Sequence, residues 1–206
     1  MKGKLIVFEG IDGAGTETQS KLLLSHLKRN GVPAERIFYP DYDGELGKLI
    51  RQFLHKKREL SPEMQFVLYA GDMVKDNEKI NAWLEEGKTV VADRYFNSTI
   101  VYQGIRGFGM KKALHFAEDF GIPKPDVVML LQIGPAESAK RKMGENGKLD
   151  RNEEDMRFLE RVSHEYKRMA LDNVFGRWFI VDGEKPKQQV FSEVMNVLKG
   201  AGLSPR

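Results

Sequence analysis

The sequence predicts an α/β fold with a doubly wound, five-stranded parallel sheet that helices cover on both faces. Five short apolar runs, each partly β-branched or aromatic, alternate with amphipathic stretches of helical period along the 206 residues. A glycine-rich segment follows the first apolar run and precedes the first helical stretch. This alternation is typical of a parallel sheet, because its strands are buried on both faces.

The apolar runs are the predicted strands. Each is short, and a helical stretch separates it from the next. The runs are Leu5 to Phe8, Ile37 to Tyr39, Val90 to Ala92, Val127 to Leu131 and Phe179 to Val181.

Three of the helical stretches have recognisable ends. The first runs from about Thr16 to Arg29 and ends near Asn30, which a glycine follows. The second follows Ser61, the predicted N-cap, with Pro62 at the first helical position. A long, charged third helix is expected near Glu153 to Leu171.

Composition indicates one folded domain that spans residues 1–206. Hydrophobic residues make up 41% of the chain and charged residues 31%, and we find no repeat, low-complexity tract or linker. Lys and Arg number 33 against 30 Asp and Glu, so the net charge of +3 gives no reason to expect a nucleic acid or a membrane as partner.

Cysteine is absent, which excludes disulfides, thiolate zinc sites and cysteine nucleophiles. The first apolar segment is too short for a signal sequence, so we expect a cytoplasmic protein. The four histidines are scattered over predicted helices, which argues against a histidine metal cluster.

The glycine-rich segment predicts a phosphate-binding loop. Gly10 and Gly15 have the spacing of a Walker A motif, and Gly13 adds backbone freedom, so consecutive N–H groups can face a phosphate at a helix N-terminus. The alternative is a strand-to-helix turn without a ligand. The predicted ATP-binding residues are Gly10, Ile11, Asp12, Gly13, Ala14, Gly15, Thr16, Glu17 and Thr18.

The loop departs from the motif at the two positions after its last glycine. Thr16 replaces the lysine that reaches the β- and γ-phosphates, and Glu17 replaces the hydroxyl residue that binds Mg²⁺. Our hypothesis is that Glu17 or Thr18 helps to hold Mg²⁺ and that a basic group from elsewhere replaces the lysine. The alternative is weak nucleotide binding without turnover.

A second signature lies at the end of the third strand. Asp93 and Arg94 follow a buried run, and in an open parallel sheet ligands bind at the carboxyl ends of the strands. We therefore expect both side chains beside the phosphate loop. The alternative is a structural salt bridge at a strand end.

With these residues the chain resembles the thymidylate kinases, P-loop enzymes that transfer the γ-phosphoryl group of ATP to dTMP with Mg²⁺. The resemblance covers nearly the whole chain: FEGIDGAG at the start, ADRYFNSTIVYQG in the middle, KPDVVMLLQI at the fourth strand, then LDRNEEDMRFLERV and VDG. It implies a P-loop NTPase fold and a homodimer.

The resemblance also implies roles for individual residues. Asp12 corresponds to a carboxylate near the acceptor's sugar and phosphate, Arg94 to the arginine that grips the acceptor phosphate, and Asp93 to an acid near Mg²⁺. Thr99 falls where the family contacts the pyrimidine edge, and Tyr102 where a ring lies against the deoxyribose. The implied acceptor set is Asp12, Tyr42, Tyr69, Met73, Arg94, Ser98, Thr99, Tyr102 and Gln103.

Some positions depart from the family pattern. Tyr42 stands where many members have an arginine that contacts the acceptor phosphate, and Met73 replaces an arginine that helps to read the base. Two other interpretations therefore stay open: a kinase for another nucleoside monophosphate, and a nucleotide-binding pseudoenzyme.

A lid is expected at about residues 141–152. Arg141, Lys142, Lys148 and Arg151 flank the segment from Gly144 to Gly147. We expect the stretch 144–148 to be mobile, and lid closure can bring positive charge to the transferring phosphoryl group. The alternative is a solvated, charged helix end. The predicted catalytic residues are Asp12, Arg94, Arg141, Lys148 and Arg151.

Overall fold

A computed structural model describes residues 2–146 and 149–203. Five parallel strands form one sheet in the order β2-β3-β1-β4-β5, which confirms the predicted fold class. The strands are β1 (Lys4–Glu9), β2 (Ala34–Phe38), β3 (Thr89–Asp93), β4 (Val127–Gln132) and β5 (Trp178–Asp182).

Helices pack around this sheet and complete the core. They are α1 (Thr16–Arg29), α2 (Glu45–Leu54), α3 (Pro62–Val74), α4 (Asn77–Glu85), α5 (Phe96–Ile105), α6 (Met110–Asp119), α7 (Pro135–Asn146), α8 (Met156–Leu171) and α9 (Lys187–Gly200). In the described residues no helix is long and apolar enough to span a bilayer.

Sheet register brings the functional positions to one edge. β1 lies at the centre of the sheet, with Phe8 opposite Asp93 of β3 and Glu9 opposite Leu130 of β4. The apolar side chains of β1 are almost wholly buried, because helices cover both faces. The polar residues that follow each strand therefore meet along the carboxyl edge of the sheet.

Several predicted boundaries differ from the structure by one to three residues, and two of these differences have a clear local cause. Tyr39 was predicted to belong to the second strand but lies outside β2, because Pro40 has no N–H with which to extend the ladder. Helix α8 begins at Met156 instead of Glu153, because the Asp155 carboxylate caps it by accepting a hydrogen bond from the Phe158 N–H at 3.0 Å.

The helix break that the sequence predicts near Gly144 is not present at this residue. Helix α7 continues through this glycine to Asn146, since its neighbours Lys142, Met143 and Glu145 favour helix and one glycine costs only about 1 kcal/mol. The rest of the predicted mobile segment, residues 147 and 148, lies outside the described residues.

Ser61 caps helix α3 as predicted, and replacing it should weaken the helix. Its hydroxyl accepts a hydrogen bond from the Met64 N–H at 3.2 Å, and Pro62 follows at the first helical position. We expect Ser61→Ala to lower the free energy of unfolding by about 1 kcal/mol, and Ser61→Asp to preserve it. Urea unfolding at neutral pH measures both, and an unchanged midpoint in the alanine variant would exclude a stabilising cap.

Candidate active site

The phosphate loop connects β1 to α1, and its backbone requires glycine. A Cβ atom on Gly10 would lie 2.7 Å from the Leu131 carbonyl oxygen, and Gly13 and Gly15 have φ angles of 74° and 93°. Helix α1 begins at Thr16, directly after the loop. The N–H groups of its first turn therefore face the loop, as anion binding at a helix N-terminus requires.

Helix α7 holds the loop from outside. The Ser138 hydroxyl donates to the Asp12 carbonyl at 2.6 Å. Arg141 donates through Nη1 to the carbonyls of Gly13 at 3.2 Å and Gly183 at 3.1 Å, and through Nε to Glu137 at 2.8 Å. Arg141, which the sequence predicts to be a lid cation, therefore lies at the phosphate loop.

Arg94 joins the loop to the strand edge. Its Nη1 donates to the Gly10 carbonyl at 2.7 Å, and its Nη2 pairs with the Asp12 carboxylate at 2.7 Å. The residue adopts a left-handed backbone, φ 59°, and its N–H donates to the Phe8 carbonyl at 2.9 Å. Such a backbone is strained for arginine, so the surrounding contacts must hold it in place.

A buried carboxylate, Glu9, lies beneath this arginine and was missed by the sequence analysis. It is fully buried at the end of β1 and accepts hydrogen bonds from the N–H groups of Tyr95 and Ser98 and from the Ser98 and Tyr166 hydroxyls. Burial raises its pKa to about 7, although Arg94 and these donors favour the charged form. The signal in the sequence was a charged residue between the apolar run Leu5 to Phe8 and Gly10.

A cavity opens beside Arg94, between α3, α5 and the segment after β2. All nine residues of the acceptor set expected from the sequence line it, together with residues that the sequence analysis did not single out. The additional residues are Tyr39, Pro40, Leu54, Asp72, Asp150 and Asn152.

The inner end of the cavity combines apolar and polar groups. Met73 is 2% exposed, and the Thr99 hydroxyl lies 4.0 Å from its sulfur. The buried Gln103 amide oxygen has no hydrogen-bond partner among the described residues, while the Tyr102 hydroxyl donates to Asp12 at 3.4 Å. Because this oxygen belongs to a residue that lines the cavity, it is available to a ligand that donates a hydrogen bond.

Comparisons with known proteins match this arrangement. The family model described as thymidylate kinase matches residues 8–194. The chain belongs to the thymidylate kinase family. Thymidylate kinase of Carboxydothermus hydrogenoformans is 35% identical over 97% of this chain and 98% of its own length. The human thymidylate kinase is 32% identical over 94% and 88%, respectively.

A solved structure supports the fold. The thymidylate kinase of Candida albicans has a TM-score of 0.78, with 98% of this chain and 93% of that chain covered, at 23% identity. The fold is thus that of a P-loop NTPase, and family membership makes the chain a phosphotransferase.

The three residues expected to bind Mg²⁺ differ in their surroundings. Glu17 is exposed and pairs with Lys21 at 2.5 Å, and Thr18 is half-buried. Asp93 is largely buried, pairs with Arg36 at 2.6 Å and accepts a hydrogen bond from Thr16. Burial raises the pKa of Asp93, and these partners oppose the rise.

In the part of the chain that the structure describes, no three His, Asp or Glu side chains form a metal cluster. Mg²⁺ in kinases is commonly held by one or two carboxylates together with substrate phosphates and water. A single buried carboxylate with a hydroxyl beside it, as at Asp93 and Thr16, fits that donor chemistry.

Of the other lid residues that the structure describes, Lys142 lies beside Gly13 of the loop, whereas Arg151 does not reach the loop. Arg151 forms a two-pronged pair with Glu59 at 2.9 and 2.5 Å and donates to the Phe53 carbonyl, away from the phosphate loop. Lys142 lies 3.4 Å from Glu153, and Lys148 falls outside the described residues. Of the five predicted catalytic residues, Asp12, Arg94 and Arg141 therefore lie at the loop.

Asp150, from the same segment as Arg151, lines the cavity near Asp12. Burial raises its pKa to about 6, the negative charge of Asp12 adds to the rise, and N–H groups of Glu153 and Asn152 oppose it. The segment after α7 thus closes one side of the acceptor cavity with a carboxyl group.

Proposed function

We propose that the chain transfers the γ-phosphoryl group of ATP to dTMP, giving dTDP and ADP, with Mg²⁺ as cofactor. The observation that supports this most directly is Arg94. Its guanidinium group bonds to the phosphate loop at Gly10 and at the same time lines the acceptor cavity. Donor and acceptor phosphates bound at these two places would meet beside one fixed positive charge.

Positioning and electrostatics account for the reaction. Phosphoryl transfer requires two phosphates in line and neutralisation of their charge, and it needs no protein nucleophile. The loop amides and α1 would bind the donor phosphates, and Arg94 would hold the acceptor phosphate. Asp93 would hold Mg²⁺, which would supply positive charge to the donor phosphates. Asp12 orients Arg94 through their ion pair.

The cavity suits a pyrimidine deoxynucleotide. Tyr69 supplies an aromatic ring for base stacking, and Tyr102 lies across the cavity beside Asp12. The unpaired Gln103 carbonyl can accept the N3–H of thymine, and its amide NH₂ can donate to O4. Cytosine has an acceptor at N3 and a donor at C4, so it would require the Gln103 amide to be turned over.

Replacing Gln103 tests this base recognition. We expect Gln103→Leu to lower kcat/KM for dTMP by roughly 10- to 100-fold, because the thymine edge loses both hydrogen bonds in a buried site. The KM for ATP should not change. Steady-state kinetics with each substrate varied in turn measures the effect. Equal losses for dTMP and dCMP would show that Gln103 does not read the base.

An ADP-release assay across a panel of nucleoside monophosphates tests the function as a whole. We expect dTMP to give the highest kcat/KM. A different best acceptor would support the second candidate, a kinase for another monophosphate, which Met73 at the inner end of the cavity favours. Binding of ATP and dTMP without turnover would support a nucleotide-binding pseudoenzyme.

We further propose that the chain acts as one domain with a lid at about residues 141–152, as a homodimer, in the cytoplasm and without nucleic acid or membrane partners. The single sheet and its shared core support one domain. The dimer and the lid follow from the resemblance to the family. Light scattering at micromolar concentration would determine the oligomeric state.

A further inference from the structure

A cation other than the lid residues lies beside the phosphate loop. Arg36, in the middle of β2, donates through Nη2 to the Asp93 carboxylate at 2.6 Å and through Nε to the Ser20 hydroxyl at 2.9 Å. Its side chain is 14% exposed. No sequence motif pointed to this residue, which follows Glu35 in the short strand β2.

The two hydrogen bonds place the guanidinium group under the start of α1. In the register of β2 and β3, Arg36 stands opposite Val91, two residues before Asp93 and the carboxyl edge. Because its guanidinium group bonds to Asp93, the positive charge lies near that edge. Ser20 lies one helical turn after Thr16, the position where a Walker A motif has its lysine.

Charge at this place acts on the first turn of α1. The hydrogen bond from Lys21 is the main cause that lowers the pKa of Glu17, and the positive charge of Arg36 contributes to the same shift. Among the described residues, Nη1 of Arg36 donates no hydrogen bond to the protein. A guanidinium group with an unused pair of donors suits a phosphate oxygen.

Two lid arginines are held by other acceptors. Arg141 is bonded to the Gly13 and Gly183 carbonyls and to Glu137, and Arg151 is bonded to Glu59 and the Phe53 carbonyl. Arg36 is instead held by strand β3, through Asp93, and by helix α1, through Ser20. It therefore lies at the loop without any closure of the lid.

We propose that Arg36 supplies, from strand β2, the positive charge on the ATP polyphosphate that a P-loop lysine supplies from helix α1. This inference rests on the proposed function only in taking ATP as the donor. The phosphate loop then has its cation, which comes from β2 instead of α1. Thr16 can stand at the lysine position because no lysine is required there.

Arg36→Met tests the proposal, since methionine keeps much of the stem and removes the charge. We expect the variant to lower kcat roughly 10²-fold and to weaken binding of a nonhydrolysable ATP analogue at least about 10-fold, with dTMP affinity unchanged. Calorimetric titration of the analogue, with and without Mg²⁺, and separate titration of dTMP give the two affinities. Arg177→Met, at an exposed arginine before β5, is the matched control.

Restoring a lysine to α1 provides the decisive comparison. In the Arg36→Met background, Thr16→Lys should recover at least about 10-fold in analogue affinity, whereas in the wild-type chain it should gain less than about 3-fold. Arg36→Lys, which keeps a charge beside Asp93, covers the case in which the methionine variant fails to fold. It should retain more analogue affinity than Arg36→Met.

Three outcomes would overturn the proposal. The first is analogue affinity within about twofold of wild type in Arg36→Met. The second is that analogue affinity, dTMP affinity and melting temperature all fall in Arg36→Met, and that Thr16→Lys restores none of them. This result would make Arg36 a structural partner of Asp93. The third is that Lys142→Met, and not Arg36→Met, loses analogue binding. These titrations do not require turnover of an acceptor. If the chain were inactive on dTMP but still bound the analogue through Arg36, the proposed function would be contradicted and this inference would stand.

Discussion

Replacing Arg94 by methionine is expected to lower kcat/KM for dTMP by at least about 10³-fold, the largest effect of any single substitution considered. The guanidinium group is fixed between the Gly10 carbonyl and the Asp12 carboxylate, both at 2.7 Å, and it lines the acceptor cavity. Methionine leaves the acceptor phosphate without its partner and leaves the Asp12 carboxylate beside that phosphate without a counter-charge.

Lysine at the same position separates charge from geometry. Arg94→Lys retains a positive charge but loses the planar fork that can bond Gly10, Asp12 and a phosphate oxygen together. We expect an intermediate loss of roughly 10²-fold in kcat/KM for dTMP, with the KM for ATP nearly unchanged. Steady-state kinetics at saturating ATP, with dTMP varied, measures it.

Arg161→Lys is the matched control for this pair. Arg161 is exposed on α8 and donates to the Ile105 carbonyl, remote from the phosphate loop. Its replacement should leave both kinetic constants as they are. If Arg94→Lys kept dTMP turnover near the wild-type level, a planar guanidinium group would not be needed at this position, and the acceptor phosphate would have to be held elsewhere.

The strands and the loop were predictable because their signals are local. Short apolar runs specify buried parallel strands, and the spacing of Gly10 and Gly15 specifies the turn that enters α1. The acceptor cavity was predictable through a family resemblance, and the structure brings all nine expected residues to one wall or another of it.

Side-chain partners that join distant segments were not predictable. Arg151 was expected at the transferring phosphate, yet it pairs with Glu59, which is 92 residues earlier in the chain. Arg36 finds Asp93 57 residues away, on the neighbouring strand. Neither pairing leaves a pattern of spacing in one sequence, because tertiary packing alone decides which of several nearby charges meet.

Glu9 shows how such a long-range contact shapes the site. Its carboxylate joins β1 to the start of α5 through the N–H groups of Tyr95 and Ser98, and to α8 through the hydroxyl of Tyr166, 157 residues away. The segment that it fixes begins directly after Arg94. The strained arginine is thus held from one side by the loop and from the other by a buried carboxyl group.

Substituting Glu9 should therefore change how stability depends on pH. Burial raises the pKa of Glu9 from 4.5 to about 7. Between these values the folded chain keeps a proton that the unfolded chain has lost, so the contribution of Glu9 to stability is greatest below pH 4.5 and falls as the pH rises towards 7. At about 1.4 kcal/mol per pKa unit, the fall is of the order of 3 kcal/mol.

The neutral, isosteric variant Glu9→Gln removes this titration. We expect the difference in unfolding free energy, wild type minus variant, to decrease by a few kcal/mol between pH 5 and 7.5 and to be level above it. Urea unfolding at a series of pH values measures this difference in unfolding free energy. The contributions of most other titrating groups cancel in it, because both chains contain them. Glu160→Gln, at an exposed position on α8, is the control for a glutamate-to-glutamine change outside the site. A wild-type advantage that grew with pH would mean that the ionised carboxylate is the form that the hydrogen bonds of Ser98 and Tyr166 stabilise, and that these bonds outweigh burial.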